Sequence, residues 1–255
     1  MHGQSDPLVM TNFSQLNLHK SSQATLLAGQ ALEGKSRFVS LLTEPHTIRS
    51  HIHGFPAGTT NVYLRNRDQN EPPVRAAIIA TKDVGLVVLN QWCSRDCAAA
   101  LCTLRSKKTV VASIYMDINL PVAQGWLTGL LDFAHSKQYA LVIGVDTNSH
   151  STLFGPTNNT RGNDLEDVIL THGLAVENRG TTPTFEIMRG NKMVRTHIDA
   201  TLSRDLPVPV TDWRVDRNYN ASDHNTITFT IPGEVTHKQK IAPGVKRIGT
   251  SLVKP

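Results

Sequence analysis

Short apolar runs recur along the chain, and most of them are bounded by Gly, Pro, Asn, Asp or Ser. Runs of this length between turn residues predict β-strands, either buried or half-buried. We therefore predict strands over Met10–Leu18, Phe38–Leu42, Val74–Ala80, Gly85–Asn90, Ala98–Leu104, Thr109–Met116, Ala140–Val145, Leu174–Glu177, Thr184–Ile187, Val194–Leu202, Val210–Arg217 and Ser222–Ile231.

Apolar residues at helical spacing predict three helices between these strands. The first, Ser22–Glu33, follows serines suited to capping a helix, and Gly34 ends it. The others are Val122–Lys137 and Gly162–His172, the latter capped by Asn163. Many short strands with few helices favour an α/β fold. The expected architecture is a four-layered α/β sandwich, in which two mixed β-sheets pack face to face with the helices outside.

The composition is ordinary for a globular protein and leaves a polyanionic partner open. Hydrophobic residues make up 39% of the 255 residues, charged residues 18%, and the net charge is +5. No apolar run approaches the ~18 residues that cross a bilayer, and the N-terminus lacks a secretion pattern, so we expect no membrane partner. The odd cysteine count predicts reduced thiols in or near the core, at Cys93, Cys97 and Cys102. We expect one domain over residues 1–232 and a basic, flexible tail over 233–255.

Polar residues follow several predicted strands directly. The run Ala140–Val145 ends in Asp146, Asn148 and His150, although Asp and Asn would also suit a plain turn. Glu44 follows another strand, and Pro45 after it predicts that Glu44 is extended. Similar residues stand at other strand ends: Asn17, Tyr115, Asp199, Asp223 and His224. Each is weak evidence alone, but together they predict a reactive site presented by rigid strands.

These residue types suit one kind of chemistry. Carboxylate and amide oxygens are the ligands of hard cations such as Mg²⁺ or Mn²⁺. An aspartate can orient or deprotonate an attacking water, and an imidazole held by a second aspartate can stabilise charge on phosphorus. The set therefore predicts metal-assisted phosphodiester hydrolysis.

The motifs and their order resemble the endonuclease/exonuclease/phosphatase superfamily, which includes the apurinic endonucleases and DNase I-like enzymes. The resemblance spans about residues 11–231 and is greatest to the N-terminal endonuclease of non-LTR (LINE-like) retrotransposons, particularly the arthropod site-specific elements. One departure is Val145, where the family commonly has glycine before the catalytic aspartate. The motifs that carry the resemblance are QLNLHKS (15–21), LLTEP (41–45), ASIYMD (112–117), GVDTNSH (144–150), THIDATLS (196–203) and SDHN (222–225).

The resemblance implies a metal-binding half of the site. Glu44 would be the principal ligand of the metal, with Asn17 beside it and Asp223 as a further carboxylate on that side. Asp146 would activate the attacking water, and Asn148 would place the phosphate.

It also implies a half that meets the substrate. His224 would stabilise the transition state, with Asp199 holding its ring, and Tyr115 would contact the phosphate. His150 and Ser222 are expected to contact DNA, although no further role follows for His150.

Between two predicted strands lies a basic turn, Met188–Lys192. The resemblance implies that this hairpin tip enters a DNA groove and helps to choose the nick site. The residues expected to contact DNA are Arg189, Asn191, Lys192 and Arg195. Arg-Gly-Asn-Lys is also good turn chemistry by itself, so a plain solvated turn is the alternative.

The expected function is a Mg²⁺-dependent endonuclease, with Mn²⁺ also possible, that nicks one strand of double-stranded DNA. The 3′-hydroxyl would prime reverse transcription by a reverse transcriptase fused in the same polyprotein. The enzyme would be made in the cytoplasm and act in the nucleus. Alternatives are a phosphatase of the same superfamily acting on inositol phosphates or sphingolipids, and a DNA-binding module without catalysis. A serine hydrolase is disfavoured because no Gly-x-Ser-x-Gly motif is present.

Overall fold

The computed structural model describes residues 8–49, 51–63 and 71–235. Its helices are α1 (Ser22–Gln30), α2 (Gly125–Ser136) and α3 (Thr160–Thr171). Its strands, in chain order, are β1 (Leu8–Asn17), β2 (Phe38–Thr43), β3 (Thr47–Ile48), β4 (His51–Ile52), β5 (Thr59–Val62), β6 (Ala76–Thr81), β7 (Val87–Val88), β8 (Cys97–Leu104), β9 (Lys107–Tyr115), β10 (Ala140–Asp146), β11 (Ala175–Val176), β12 (Phe185–Arg189), β13 (Lys192–Thr196), β14 (Asp199–Arg204), β15 (Thr211–Asp216) and β16 (Thr226–Val235).

Two six-stranded mixed sheets form the body of the domain. Sheet 1 has the order β15-β16-β1-β2-β6-β5, and sheet 2 has the order β11-β14-β10-β9-β8-β7. One apolar cluster lies between the sheets and includes Phe13, Val111 and Phe229. A second packs α2 and α3 against sheet 2, and a third packs α1 against sheet 1. The predicted four-layered α/β sandwich is confirmed.

Each sheet is built around one parallel pair of strands. In sheet 1, β1 and β2 are parallel and α1 connects them, whereas in sheet 2, β9 and β10 are parallel and α2 connects them. The next neighbours, β16 beside β1 and β14 beside β10, are antiparallel. The carboxyl ends of the parallel strands therefore share an edge with the amino ends of β14 and β16.

A buried glutamine joins the two sheets just inside this edge. The Gln15 amide donates to the carbonyl oxygens of Val145 at 3.3 Å and Ala200 at 3.1 Å, and its oxygen accepts from Thr201 Oγ1 at 2.9 Å. A Cβ atom on Gly144 would lie 3.0 Å from this side chain. Glycine therefore permits the close approach that lets one amide hydrogen-bond across the sandwich.

Two strand predictions were wrong. Gly85–Asn90 forms only the two-residue strand β7, because Gly85 has a left-handed φ of +69° at the end of a 3₁₀ turn. Val194–Leu202 is two strands, β13 and β14, which lie in different sheets. Between them, Thr184 Oγ1 accepts the backbone N–H groups of Ile198 and Asp199, both at 3.1 Å, so the chain turns out of the hairpin there.

Other helices and strands begin or end a few residues away from the predicted positions. The third helix is capped by Asn159, whose side chain accepts from the Gly162 N–H, and not by Asn163. The last strand starts at Thr226 rather than Ser222, and it runs on to Val235, past the expected domain boundary at 232. The rest of the predicted tail, 236–255, lies outside the described residues.

The cysteines are free thiols, as predicted, with Cys97 and Cys102 buried and Cys93 half-buried. Among the described residues, no helix is both long and apolar enough to span a membrane.

Candidate active site

The shared edge of the two sheets brings together side chains from distant parts of the chain. Asn17, Tyr115 and Asp146 are the last residues of β1, β9 and β10, and Asp199 is the first residue of β14. Glu44 directly follows β2, and His224 stands two residues before β16. Strand ends held by two packed sheets thus position the predicted catalytic and metal-binding residues.

One cluster of carboxylates surrounds the amide of Asn17. Its nitrogen donates to Asp146 Oδ2 at 2.7 Å and to Glu44 Oε2 at 3.4 Å. Its oxygen accepts from the His19 N–H at 2.7 Å, and Lys20 Nζ lies 3.0 Å from Glu44 Oε1. Asn17 therefore links two of the predicted carboxylates, one buried and one half-buried.

The backbone at Glu44 differs from the prediction. Glu44 has a φ of +45°, so Pro45 does not hold it extended. Its N–H donates to the carbonyl oxygen of Arg75 at 2.9 Å, and its carbonyl accepts from Lys20 at 2.7 Å. These two hydrogen bonds over-determine an otherwise unfavourable conformation, which turns the carboxylate toward Asn17.

A buried ion pair lies beside this cluster. Nδ1 of His224 lies 2.9 Å from Asp199 Oδ2, and the side chains are 6% and 4% exposed. The rings of Phe185 and His224 pack edge to face, and their centroids are 5.0 Å apart. Ligand atoms of Asp146, Asp199 and His224 all lie within 4.8 Å of one another. The pair and the carboxylate cluster therefore form one continuous site.

Burial and neighbouring charges change the pKa values of His224 and Asp146. Burial alone would lower the pKa of His224, but the charges of Asp199 and Asp146 raise it to about 9, so the imidazole is protonated at neutral pH. Burial, and then the charge of Asp199, raises the pKa of Asp146 well above its ordinary value. The site thus pairs a cationic imidazole with a carboxylate that accepts a proton readily near neutral pH.

Tyr115 and Asn148 form the next part of the site. Burial, followed by the charges of Glu44 and Asp146, raises the pKa of Tyr115 to about 12, and Asn148 hydrogen-bonds to its phenol. Asn148 has a left-handed φ of +46°, and its amide nitrogen donates to the Met116 carbonyl at 3.1 Å. A neutral phenol and an amide are therefore held together as hydrogen-bonding groups.

Arg75 is a site residue that the sequence analysis missed. Its guanidinium lies 4.5 Å from the ring centroid of Tyr115 and donates to both carboxylate oxygens of Asp96 at 2.6 Å and to Asp117 at 2.7 Å. Burial would lower the pKa of Arg75, but these two carboxylates raise it above its ordinary value. The one sequence signal was its place at the start of a strand after two prolines. Arg75 supports Tyr115 from one face of the ring.

Asp223 and Ser222 lie in the turn before β16. Asp223 Oδ2 is 3.3 Å from Nδ1 of the exposed His19. The Ser222 hydroxyl donates to the Asn17 carbonyl at 2.7 Å and accepts the His224 N–H at 3.1 Å. The hydroxyl of Ser222 therefore ties the His224 turn to β1, and the DNA contact expected of Ser222 stays a prediction.

His150 contacts residues of the loop that leads to α3. Its ring contacts Thr157 Oγ1 at 3.4 Å, and its N–H donates to Asn159 Oδ1 at 3.3 Å, in the loop that leads to α3. The predicted DNA contact of His150 stays a prediction.

The predicted basic hairpin is β12 and β13, a two-stranded sheet separate from the two main sheets. Arg189, Asn191 and Lys192 are exposed at its tip. Arg195 is exposed as well, but its guanidinium is paired with Glu186 at 2.8 Å. The tip residues are thus placed for an external partner, whereas Arg195 already has an internal one.

The donor set fits a hard divalent cation. Glu44 and Asp146 offer carboxylate oxygens within one cluster, and the Asn17 amide nitrogen links them by hydrogen bonds. His224 is less suited as a ligand, because its Nδ1 is committed to Asp199. The Glu44 side of the site therefore fits a metal better than the space between Asp199 and His224.

Comparisons with known proteins find endonucleases that are similar to this chain. A family model described as endonuclease-reverse transcriptase matches residues 109–228. The solved structure of the endonuclease domain of TRAS1, a telomere-specific non-LTR retrotransposon, is 26% identical. The match covers 87% of this chain and 98% of that chain, with a TM-score of 0.73. No curated protein sequence matches the chain.

More distant structures share the fold. An AP endonuclease, LMAP from Leishmania major, is 11% identical over 88% of each chain, with a TM-score of 0.64. A 3′–5′ exonuclease, NExo from Neisseria meningitidis, is 17% identical over 86% of this chain and 98% of that chain, with a TM-score of 0.58.

The fold is a DNase I-like α/β sandwich, as predicted, and the chain resembles hydrolases of the endonuclease/exonuclease/phosphatase superfamily. Within this superfamily the chain resembles the endonuclease domain of a non-LTR retrotransposon, which was also predicted. The roles of individual site residues stay predictions.

Proposed function

We propose that this domain is a Mg²⁺-dependent endonuclease that nicks one strand of double-stranded DNA, with Mn²⁺ able to substitute. The observation that carries the proposal is the meeting of the Asn17-centred carboxylates with the Asp199–His224 pair at one edge of the sandwich. The exposed basic hairpin near this edge favours DNA over a small phosphorylated substrate.

Each group in the site has a distinct task in this proposal. Asp146, whose pKa burial raises, accepts a proton from the attacking water. The protonated His224 stabilises the negative charge that grows on the phosphoryl oxygens, and Asp199 keeps its Nδ1 proton in place. Tyr115 and Asn148 contact the phosphate. Glu44 would hold the cation, with Asn17 beside it and Asp223 on the same side, and when bound the cation would supply Lewis-acid stabilisation of charge on phosphate oxygens.

The resemblance to retrotransposon endonucleases supports a specific biological use. The nick would leave a 3′-hydroxyl that primes reverse transcription by a reverse transcriptase fused to this domain in a longer polyprotein. The family model, described as endonuclease-reverse transcriptase, supports that fusion. Such an enzyme would act on chromosomal DNA and therefore in the nucleus.

The deciding experiment is nicking of supercoiled plasmid with Mg²⁺, with Mn²⁺ and with EDTA, followed by chemical mapping of the cut ends. We expect metal-dependent conversion to open circles with 3′-hydroxyl ends. Folded protein that leaves plasmid intact with either metal, yet releases phosphate from inositol phosphates or sphingolipids, would replace the proposal with the phosphatase alternative.

A further inference from the structure

The base of the β12–β13 hairpin is joined to the segment that carries His224. Phe185 and His224 form an isolated antiparallel β-bridge. The Glu186 N–H donates to the Asp223 carbonyl at 2.8 Å, and the Asn225 N–H donates to the Thr184 carbonyl at 2.7 Å. β12 therefore pairs with β13 on one side and with the His224 segment on the other.

The side chain of Glu186 fastens this junction. Its Oε1 accepts from Arg195 Nε at 2.8 Å and from Arg217 Nη2 at 2.8 Å. Its Oε2 accepts from Arg217 Nε at 2.8 Å and from Asn225 Nδ2 at 2.9 Å. One carboxylate thus binds β13, the residue directly after β15 and the residue after His224.

The energetics favour a firm contact. The Glu186 side chain is only 12% exposed, and Arg217 binds it through two parallel hydrogen bonds. Burial would raise the pKa of Glu186, but the hydrogen bonds from Asn225, Arg195 and Arg217 lower it below its ordinary value. Bidentate arginine–carboxylate contacts of this kind fix geometry as well as supplying energy.

We propose that Glu186 is a positioning residue of the nuclease: it locks the hairpin to the His224 segment, so that the orientation of the tip and the place of the imidazole are set together. This inference rests on the proposed endonuclease function. It assigns Glu186 no contact with DNA or metal, since its carboxylate is already filled by protein donors.

A matched control exists elsewhere in the chain. Glu177 is also 12% exposed and pairs with an arginine, Arg179, whose exposure of 58% is close to that of Arg217 at 56%. It lies beyond the end of β11 and also accepts from the Ser203 hydroxyl. Glu177→Gln thus makes the same chemical change away from the hairpin.

The test measures kcat, KM and the map of cut sites on plasmid DNA for wild type, Glu186→Gln and Glu177→Gln. For Glu186→Gln we expect kcat to fall about tenfold, KM to stay within about twofold and the cut sites to spread, since one charge-assisted network is lost. Glu177→Gln should match wild type in all three. Glu186→Asp, which keeps the charge, should recover part of kcat. Equal behaviour of the two glutamine variants would overturn the proposal.

Two further measurements test the proposal, one with a second variant and one by a signal that does not depend on activity. If Glu186→Gln fails to fold, Arg217→Gln removes one exposed partner, and we expect a fall in kcat of about threefold with broader cutting; unchanged kcat and cutting would refute the proposal. Independently of activity, the ring of Phe185 should shift the NMR signals of the His224 imidazole. That shift should change in Glu186→Gln and not in Glu177→Gln. A folded wild type that never nicks DNA would contradict the proposed endonuclease function. Unchanged His224 signals in Glu186→Gln would contradict the proposed role of Glu186.

Discussion

His224 and Asp199 are joined by a hydrogen bond of 2.9 Å between Nδ1 and Oδ2, and both side chains are almost fully buried. Asp199 begins β14 in sheet 2, whereas His224 precedes β16 in sheet 1. The ion pair therefore joins the two sheets at the site and contributes to the stability of the fold as well as to its chemistry.

Replacing His224 with alanine should cost both activity and stability. The change leaves Asp199 buried without its partner, and breaking a buried pair in this way typically costs about 3–5 kcal/mol. We expect no detectable nicking and a clearly lower thermal midpoint by circular dichroism. His224→Ala combined with Asp199→Asn should regain stability but not nicking. A single variant as stable as wild type would show that Asp199 is adequately solvated alone.

Replacing Asp146 with asparagine should separate activity from stability. A raised carboxyl pKa means that ionisation of Asp146 destabilises the folded state, and asparagine removes that charge beside Asp199. We expect nicking to fall by at least about 10²-fold, since a general base typically contributes 10²–10⁴. The thermal midpoint at pH 8 should stay equal or rise. A large loss of stability would contradict the inference that the charges of Asp146 and Asp199 repel each other in the folded protein.

Stability should fall as pH rises through 9. The pKa of His224 is raised from about 6.5 to about 9, so its contribution to stability is fully present below 6.5 and is lost as the folded protein deprotonates. A difference of this size corresponds to about 3 kcal/mol. We expect denaturant midpoints to decrease between pH 7 and 10. Asp199→Asn removes the main cause of the raised His224 pKa, so the denaturant midpoint of this variant should decrease less with pH. An equal decrease in Asp199→Asn and wild type would contradict this account of the pKa.

Divalent metal should stabilise the protein through Glu44. A ligand that binds only the folded state raises stability, by about 1.4 kcal/mol at tenfold its dissociation constant. We expect Mg²⁺ to raise the thermal midpoint of wild type and EDTA to reverse the rise. Glu44→Gln should lose the effect, whereas Glu33→Gln, a change at an exposed residue after α1, should keep it. Persistence of the rise in Glu44→Gln would place the metal elsewhere.

The hairpin tip should affect where the enzyme cuts more than how fast it cuts. Lys192 is exposed at the tip and has the charge and position to contact a DNA groove. Lys192→Ala should broaden the map of nick sites while changing the rate by less than about threefold. Lys82→Ala removes the same charge from an exposed turn after β6 and should leave the map unchanged. Equal maps for Lys192→Ala and wild type would argue against groove contact.

The strands that carry the site were predictable because each is a nearly continuous apolar run that ends in a polar residue. The run before Asp146 is one example, with every residue of β10 buried. The chain order of these ends, with the resemblance they carry, was enough to expect Asp146, Asp199 and His224 in one place. Pairing across two sheets then follows from the fold class.

Arg75 and Glu186 could not be predicted in the same way. Their importance comes from partners far away in the sequence, such as Asp117 for Arg75 and Arg217 for Glu186. No local spacing encodes such contacts. The same holds for the break between β13 and β14, where hydrogen bonds from Ile198 and Asp199 to Thr184 override a continuous strand pattern.

The pairing of β16 with β1 has a consequence for the timing of synthesis. A nascent chain that has not yet reached residue 224 already contains Asn17, Glu44 and Asp146, but it lacks both the imidazole and the strand that closes sheet 1. Pairings between such distant segments form late in folding because the loop between them must first be closed. A ribosome translating this polypeptide should therefore carry an inactive nuclease until nearly the whole domain has emerged, and cutting activity should appear in one step when β16 docks.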